Sequence, residues 1–191
     1  MDIAIFPWND NFNTGLDLVD EQHRKLVELL NTLAARIAFG TGGLQLDPLL
    51  DELADYAEYH FDCEGGIWEA SFQGDPLELA HRASHDAFVS EVGRLRAALR
   101  EVPDEVLAEE LLGFLARWLA SHILESDRFM AYAVQAMRAG LSLEEAKQQA
   151  RLEMGGTTRA LIDIILSIYA SLSTNTLKLM RELAEHRRDK E

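Results

Sequence analysis

Residues 47–68 read DPLLDELADYAEYHFDCEGGIW. Asp47 followed by Pro48 puts a capping residue before a proline at the first helical position. Leu49, Leu53, Tyr56 and His60 then recur at spacings of three and four, so the stretch predicts a helix reaching about Trp68. On such a helix His60 and Glu64 lie one turn apart on one face, two metal-binding groups projecting the same way. One pair of this kind is a weak signal, because a histidine on an apolar face is most often a hydrogen-bonded core residue. Cys63 sits about 100° around the helix from Glu64 and reads as a small packing residue, with a thiolate ligand the minor alternative.

Outward from this stretch the same helical spacing continues in both directions. Residues 16–39 carry Leu26, Leu29, Leu30, Leu33 and Ile37 on one stripe, ended by the Gly40-Thr41-Gly42-Gly43 cluster. Gly74-Asp75-Pro76 repeats the capping device, opening a third helix through His81, His85, Phe88, Val92 and Leu95 to about Arg100. Pro103-Asp104 starts a fourth, which carries Leu111, Leu115, Trp118, Leu119, His122 and Phe129 and ends near Gly140. The fold predicted is all-α, an up-down-up-down four-helix bundle over residues 1–139, in which facing side chains build sites in the core. Residues 140–191 form a helical extension. In it Ser142-Leu143-Glu144-Glu145 reads as a capping box for a short helix, and a long C-terminal helix follows Gly155-Gly156. On that last helix Leu161, Ile165, Ile168, Leu172, Asn175 and Leu179 form a coiled-coil seam. The seam suits pairing with a second copy, while Ile162, Leu166, Tyr169 and Leu183 widen it enough to pack back on the bundle.

The bulk composition excludes several functions. With 33 acidic against 18 basic residues the net charge is −15, so nucleic acid and anionic membranes are not expected partners. No basic segment followed by an apolar stretch opens the chain, and no apolar run is long enough to span a bilayer. A single cysteine permits no internal disulfide and fits a reducing compartment, so a cytoplasmic location is expected. There is no H-E-x-x-H and no glycine-rich phosphate loop. A ferritin-like site would need two E-x-x-H repeats, and only Glu78-Leu79-Ala80-His81 fits, so Glu78 reads as an exposed acid in a first helical turn. His186, among Arg181, Arg187, Arg188 and Lys190, reads as a solvated helix end.

The ordered set His23, His60, Glu64, His81, His85, His122 and Asp127 is far more specific than any one pair. His81 and His85 again share a face, whereas five residues separate His122 from Asp127 and put them about 140° apart on a regular helix. Either a metal centre lies between those two side chains or the helix contains one widened turn there.

The motifs around these residues resemble the bacterial hemerythrins over residues 6–132. Phe6, Trp8, Gly15 and Asp20-Glu21-Gln22-His23 match the family's opening, and His60-Phe61-Asp62-Cys63-Glu64 matches its second-helix motif. His81, His85 and Phe88 match the third, and Trp118, Leu119, His122, Ile123 and Asp127 the fourth. Where the family often has a second glutamate and a methionine, this chain has Gly65, Gly66, Ile67 and Trp68, which puts the packing and rigidity of that helix end in question. The resemblance implies two non-haem iron ions joined by a bridging oxo or hydroxo group. It implies that His81, His85 and His122 hold one iron and His23 and His60 the other, with Glu64 and Asp127 bridging. Dioxygen would bind at the open position on the His23/His60 side, within a pocket of Leu26, Phe61, Trp118, Leu119 and Ile123. At helical spacing those five could equally be ordinary core.

Two functions follow from the resemblance, neither of them enzymatic. One is an oxygen or redox sensor domain whose extension joins it covalently to a signalling output such as a diguanylate cyclase. The other is a stand-alone oxygen carrier or store, which would need only the bundle. The extension favours the sensor.

Overall fold

The computed structural model describes Phe6, Trp8, residues 10–39, residues 45–155 and Glu182. The expected coiled-coil seam and His186 lie outside the described residues. Among those described there is no strand. The long elements are α1 (Asp17–Phe39), α2 (Asp47–Phe72), α3 (Pro76–Ala98) and α4 (Asp104–Ser121). A π-helical turn (His122–Asp127) runs on into α5 (Arg128–Arg138), and α6 (Leu143–Glu153) follows. Helix α1 packs on α2 and α4, and α3 packs on the same two, which closes an antiparallel four-helix ring.

Local chemistry sets the ends of these rods. Asp75 caps α3 as its sequence suggests, its Oδ1 accepting the Leu77 N–H at 2.9 Å. Asp47 does not cap α2. Leu46 is the capping residue, already in helical conformation, and its N–H donates to Asp104 Oδ2 at 3.2 Å across the bundle end. Glu78 also departs from expectation: it is buried, takes the Gly74 N–H on Oε2 at 3.1 Å and pairs with Arg82. Gly15 is held at φ +83°, and a Cβ there would lie 2.7 Å from Gln135 Nε2. The left-handed φ is what calls for glycine at this turn, since the Gln135 amide is the end of a flexible side chain that can shift. Asp20 then ties the turn down, accepting the Thr14 N–H at 2.6 Å and the Gly15 N–H at 3.1 Å.

Helix α2 passes through Gly65 and Gly66 without a break and ends at Phe72, a turn beyond the Trp68 expected from the sequence. Gly66 is exposed, and a Cβ added there meets nothing within 4 Å. Gly66→Ala should therefore raise stability by about 0.5–1 kcal/mol, read as a shift in denaturant midpoint at unchanged slope. An unchanged or lowered midpoint would show that the glycine serves packing the structure does not reveal.

One core runs along the bundle through Leu30, Leu50, Leu95, Leu111 and Leu112. A second cluster joins Leu16 and Val19 of the first helix and its lead-in to Trp68 and Phe72 of α2, Met130 and Val134 of α5, and Ala146 and Ala150 of α6. Helix α6 opens with the expected box, the Ser142 N–H donating to Glu145 Oε2 at 3.0 Å. It is also clasped to the α2–α3 corner, where buried Lys147 donates to Asp75 Oδ2 at 2.7 Å.

Candidate metal centre

Seven side chains from four rods meet in the bundle interior, all of them those singled out in the sequence. His23 comes from α1, His60 and Glu64 from α2, His81 and His85 from α3, and His122 and Asp127 from the π-helical turn. His23, His60, Glu64 and Asp127 are fully buried, and His81 at 6% and His85 at 7% are the most exposed of the set. The widened turn spans His122 to Asp127, as one reading of their spacing predicted. Its extra residue per turn brings two side chains five apart onto the inner face, a distortion frequent at functional sites.

The donor atoms fall into two overlapping groups. Glu64, His81, His85 and His122 each offer an atom within 4.8 Å of the others, and so do His23, His60 and Glu64. Asp127 spans both. Its Oδ1 is 2.8 Å from His81 Nε2 and 3.2 Å from His122 Nε2, while its Oδ2 is 3.2 Å from His23 Nε2. His85 Nε2 and His122 Nε2 point at one another across 2.9 Å, an arrangement natural to two lone pairs aimed at one cation.

The hydrogen-bond account points the same way. Buried His60 Nε2, both oxygens of Glu64, Asp127 Oδ2 and both nitrogens of His23 have no hydrogen-bond partner. Buried polar groups are normally paired, so such a concentration in one place fits a metal site. Burial pushes the His60 imidazole down to about 3, more than Glu64 beside it can offset, so it is neutral and its lone pair is free. Burial would raise the Glu64 carboxyl, but His122 and His85 against it hold it well below the ordinary range. Burial and the Glu64 charge likewise raise Asp127, and the imidazoles around it bring it down to about 2. Neutral imidazoles and ionised carboxylates are the protonation states that bind a metal.

One contributor went unassigned in the sequence. Gln22 is buried, and its Oε1 lies 3.0 Å from His60 Nδ1, which fixes the ring and turns Nε2 toward Glu64. Its place beside His23 in the Asp-x-Gln-His motif was the available signal.

Of the expected pocket residues, Leu26, Phe61, Trp118 and Leu119 line one small apolar cavity together with Leu30, Leu53, Ala57, Phe88 and Leu115. Ile123 is fully buried in the same core but does not line that cavity. Phe61 stacks on His85 with centroids 3.8 Å apart, and Trp118 stacks on His122 at 4.2 Å.

A four-helix bundle with inward histidines and carboxylates in two groups sharing an acid defines a protein of the bundle metal-binding class. The hemerythrin HHE cation binding domain matches residues 14–133. Bacteriohemerythrin of Stenotrophomonas maltophilia is 34% identical over 140 residues, covering 70% of this chain and 84% of that protein. Bacteriohemerythrin of Pseudomonas aeruginosa is 33% identical over 140 residues, covering 73% and 86%. That of Clostridium acetobutylicum is 32% identical over 127 residues, covering 65% and 97%. No solved structure gives a significant match. The chain belongs to the hemerythrin family. Among the described residues no helix is long and apolar enough to cross a membrane.

Proposed function

We propose that the chain is an oxygen- or redox-sensing domain that holds two non-haem irons in its bundle, residues 1–139, and passes their state to the extension, residues 140–191. His81, His85 and His122 would hold one iron, His23 and His60 the other, and Glu64 and Asp127 both. Bound iron supplies a redox centre with affinity for dioxygen. The His23/His60 side has the smaller donor set and is assigned as the dioxygen side, with an oxo or hydroxo group completing the bridge. The apolar cavity behind Phe61 and Leu119 excludes water and anions from the neighbourhood of the centre, and Gln22 holds the His60 ring in place.

The observation that carries the sensing role is one of continuity. The turn bearing His122 and Asp127 is the start of the rod that becomes α5, and α6 lies along α5. A displacement of either side chain has a short mechanical path to α6, which the Lys147–Asp75 clasp also ties to the α2–α3 corner. The extension then biases a homodimer through its last helix, or an attached output domain. The carrier reading has support of its own, since the family match ends at residue 133 and encloses the whole site.

Metal analysis with absorption spectra of the reduced protein before and after air tests the chemistry. The expected results are iron in both positions and a reversible oxygen-dependent band. Hydrogen exchange of α6 in diferrous, oxygenated and diferric protein tests the signalling. Protection there should differ between states, and Lys147→Met should shrink the difference by weakening the clasp. Identical α6 protection in all three states would leave a carrier.

A further inference from the structure

A groove of about 790 Å³ runs between α2 and α3, with exposed Asp62, Gly66 and Val89 among the residues lining it. It is deep because small residues line it: Ala54, Ala57, Gly65 and Gly66 on α2 and Gly93 on α3. Ala57, Phe61 and Phe88 line both this groove and the small apolar cavity beside the metal centre, so one layer of side chains stands between the two spaces. His81 and His85 also line the groove, so it reaches the edge of the donor set. Phe61 is 9% exposed, and of the three shared residues it is the most exposed. The i−4 and i+4 positions on its own helix are Ala57 and Gly65, both small, which leaves space beside the ring on that face. A Cβ added at Gly65 meets nothing within 4 Å. The ring stacks on His85 and packs against Phe88 at 5.4 Å, His60 at 5.6 Å and Trp118 at 5.7 Å, all of them ring contacts that a side-chain rotation would exchange.

We propose that the α2–α3 groove is the access route for small neutral molecules to the metal centre, with Phe61 as its gate. The inference rests on the oxygen-binding reading for its biological meaning. Glu58, Asp62, Glu69 and Asp86 on the groove outnumber Arg82 and Arg96, so the approach disfavours anions, and the apolar partition disfavours anything hydrated. A neutral diatomic passes both barriers.

Filling the mouth of the groove should slow passage without changing what is bound. Val89 is 56% exposed, so Val89→Phe covers the groove at little risk to folding without adding a tryptophan, and Gly65→Leu fills it from the other wall. Val106→Phe, at an exposed position on α4 away from the groove, is the control. In diferrous protein, stopped-flow association and dissociation rates of dioxygen should fall together by about tenfold, equivalent to roughly 1.4 kcal/mol on the barrier, with affinity unchanged. In the full chain loaded with redox-inert zinc and carrying Trp8→Phe and Trp68→Phe, quenching of Trp118 fluorescence by dissolved dioxygen should slow in the same variants. Absence of any oxygen-dependent band would defeat the oxygen-binding reading, and the zinc experiment would still decide the route. Unchanged quenching in both groove variants, with helicity retained, overturns the gate.

Discussion

Replacing Glu64 with alanine is expected to abolish metal loading at both positions while leaving the metal-free bundle folded. Glu64 belongs to both donor groups, and Asp127 is the other acid that spans them. Glu64 Oε2 stands 3.3 Å from His85 Nε2, 3.5 Å from His81 Nε2 and 3.7 Å from both His60 and His122 Nε2. Without it Asp127 alone joins the histidines of α3 and the π-helical turn to His23, and His60 loses its carboxylate partner. Loss of a residue that merely orients a ligand costs about 10–100-fold in metal affinity, and loss of a shared ligand should exceed that. The metal-free protein should lose some stability, because removing the carboxylate leaves a cavity and takes away the negative charge that the surrounding imidazoles favour in the fold. Metal content and denaturant unfolding of the stripped protein measure the two effects separately, and full metal stoichiometry in Glu64→Ala would dismantle the assigned centre.

Acid should destabilise the metal-free protein in two stages. His60 is held down to about 3 by burial, whereas its ordinary value is 6.5. The unfolded chain takes a proton there that the folded chain refuses, so stability is complete above about pH 6.5 and falls as pH drops toward 3. Taken through that whole window, the loss is on the order of 5 kcal/mol. Glu64 and Asp127 act in the same direction lower down. Both are depressed in the fold, so their contribution is present above their ordinary range and is lost as pH falls below about 4. His81 opposes this. Burial lowers it, but the Asp127 hydrogen bond and charge leave it raised, so its contribution is present in acid and is lost as pH climbs above its ordinary value. Bound metal protects the imidazoles until protons compete for them, and the loaded protein should therefore hold its stability to lower pH. Denaturant midpoints of stripped protein measured from neutral pH down to about pH 4 check the sign. A flat profile there would mean that the buried imidazole is as easily protonated folded as unfolded.

Much of this was legible in one dimension, and the errors are instructive. Asp75-Pro76 and Asp47-Pro48 look alike, yet only the first caps its helix. The difference lies with Asp104, which takes the Leu46 N–H from another rod and starts α2 a residue early. Glu78 appeared to be a surface acid because a first helical turn is normally solvated, but the α2–α3 corner folds over it and supplies the Gly74 N–H. Gln22 passed without a role because its partner, His60, is on another helix. Each miss is a contact between elements, which helical spacing does not encode.

The sequence by itself determined the four rods, their order and the inward direction of the seven donors, because a helix converts spacing into direction and apolar stripes choose the face to be buried. It also determined that His122 and Asp127 could not share a regular helical face. Only the tertiary structure decided that the helix widens there, which oxygen of Asp127 faces which histidines, and that the glycines and alanines of α2 oppose Gly93 across an open groove. Those outcomes depend on the rotation and separation of packed helices. Such quantities are set by side chains from every rod at once, and no single stretch of chain contains them.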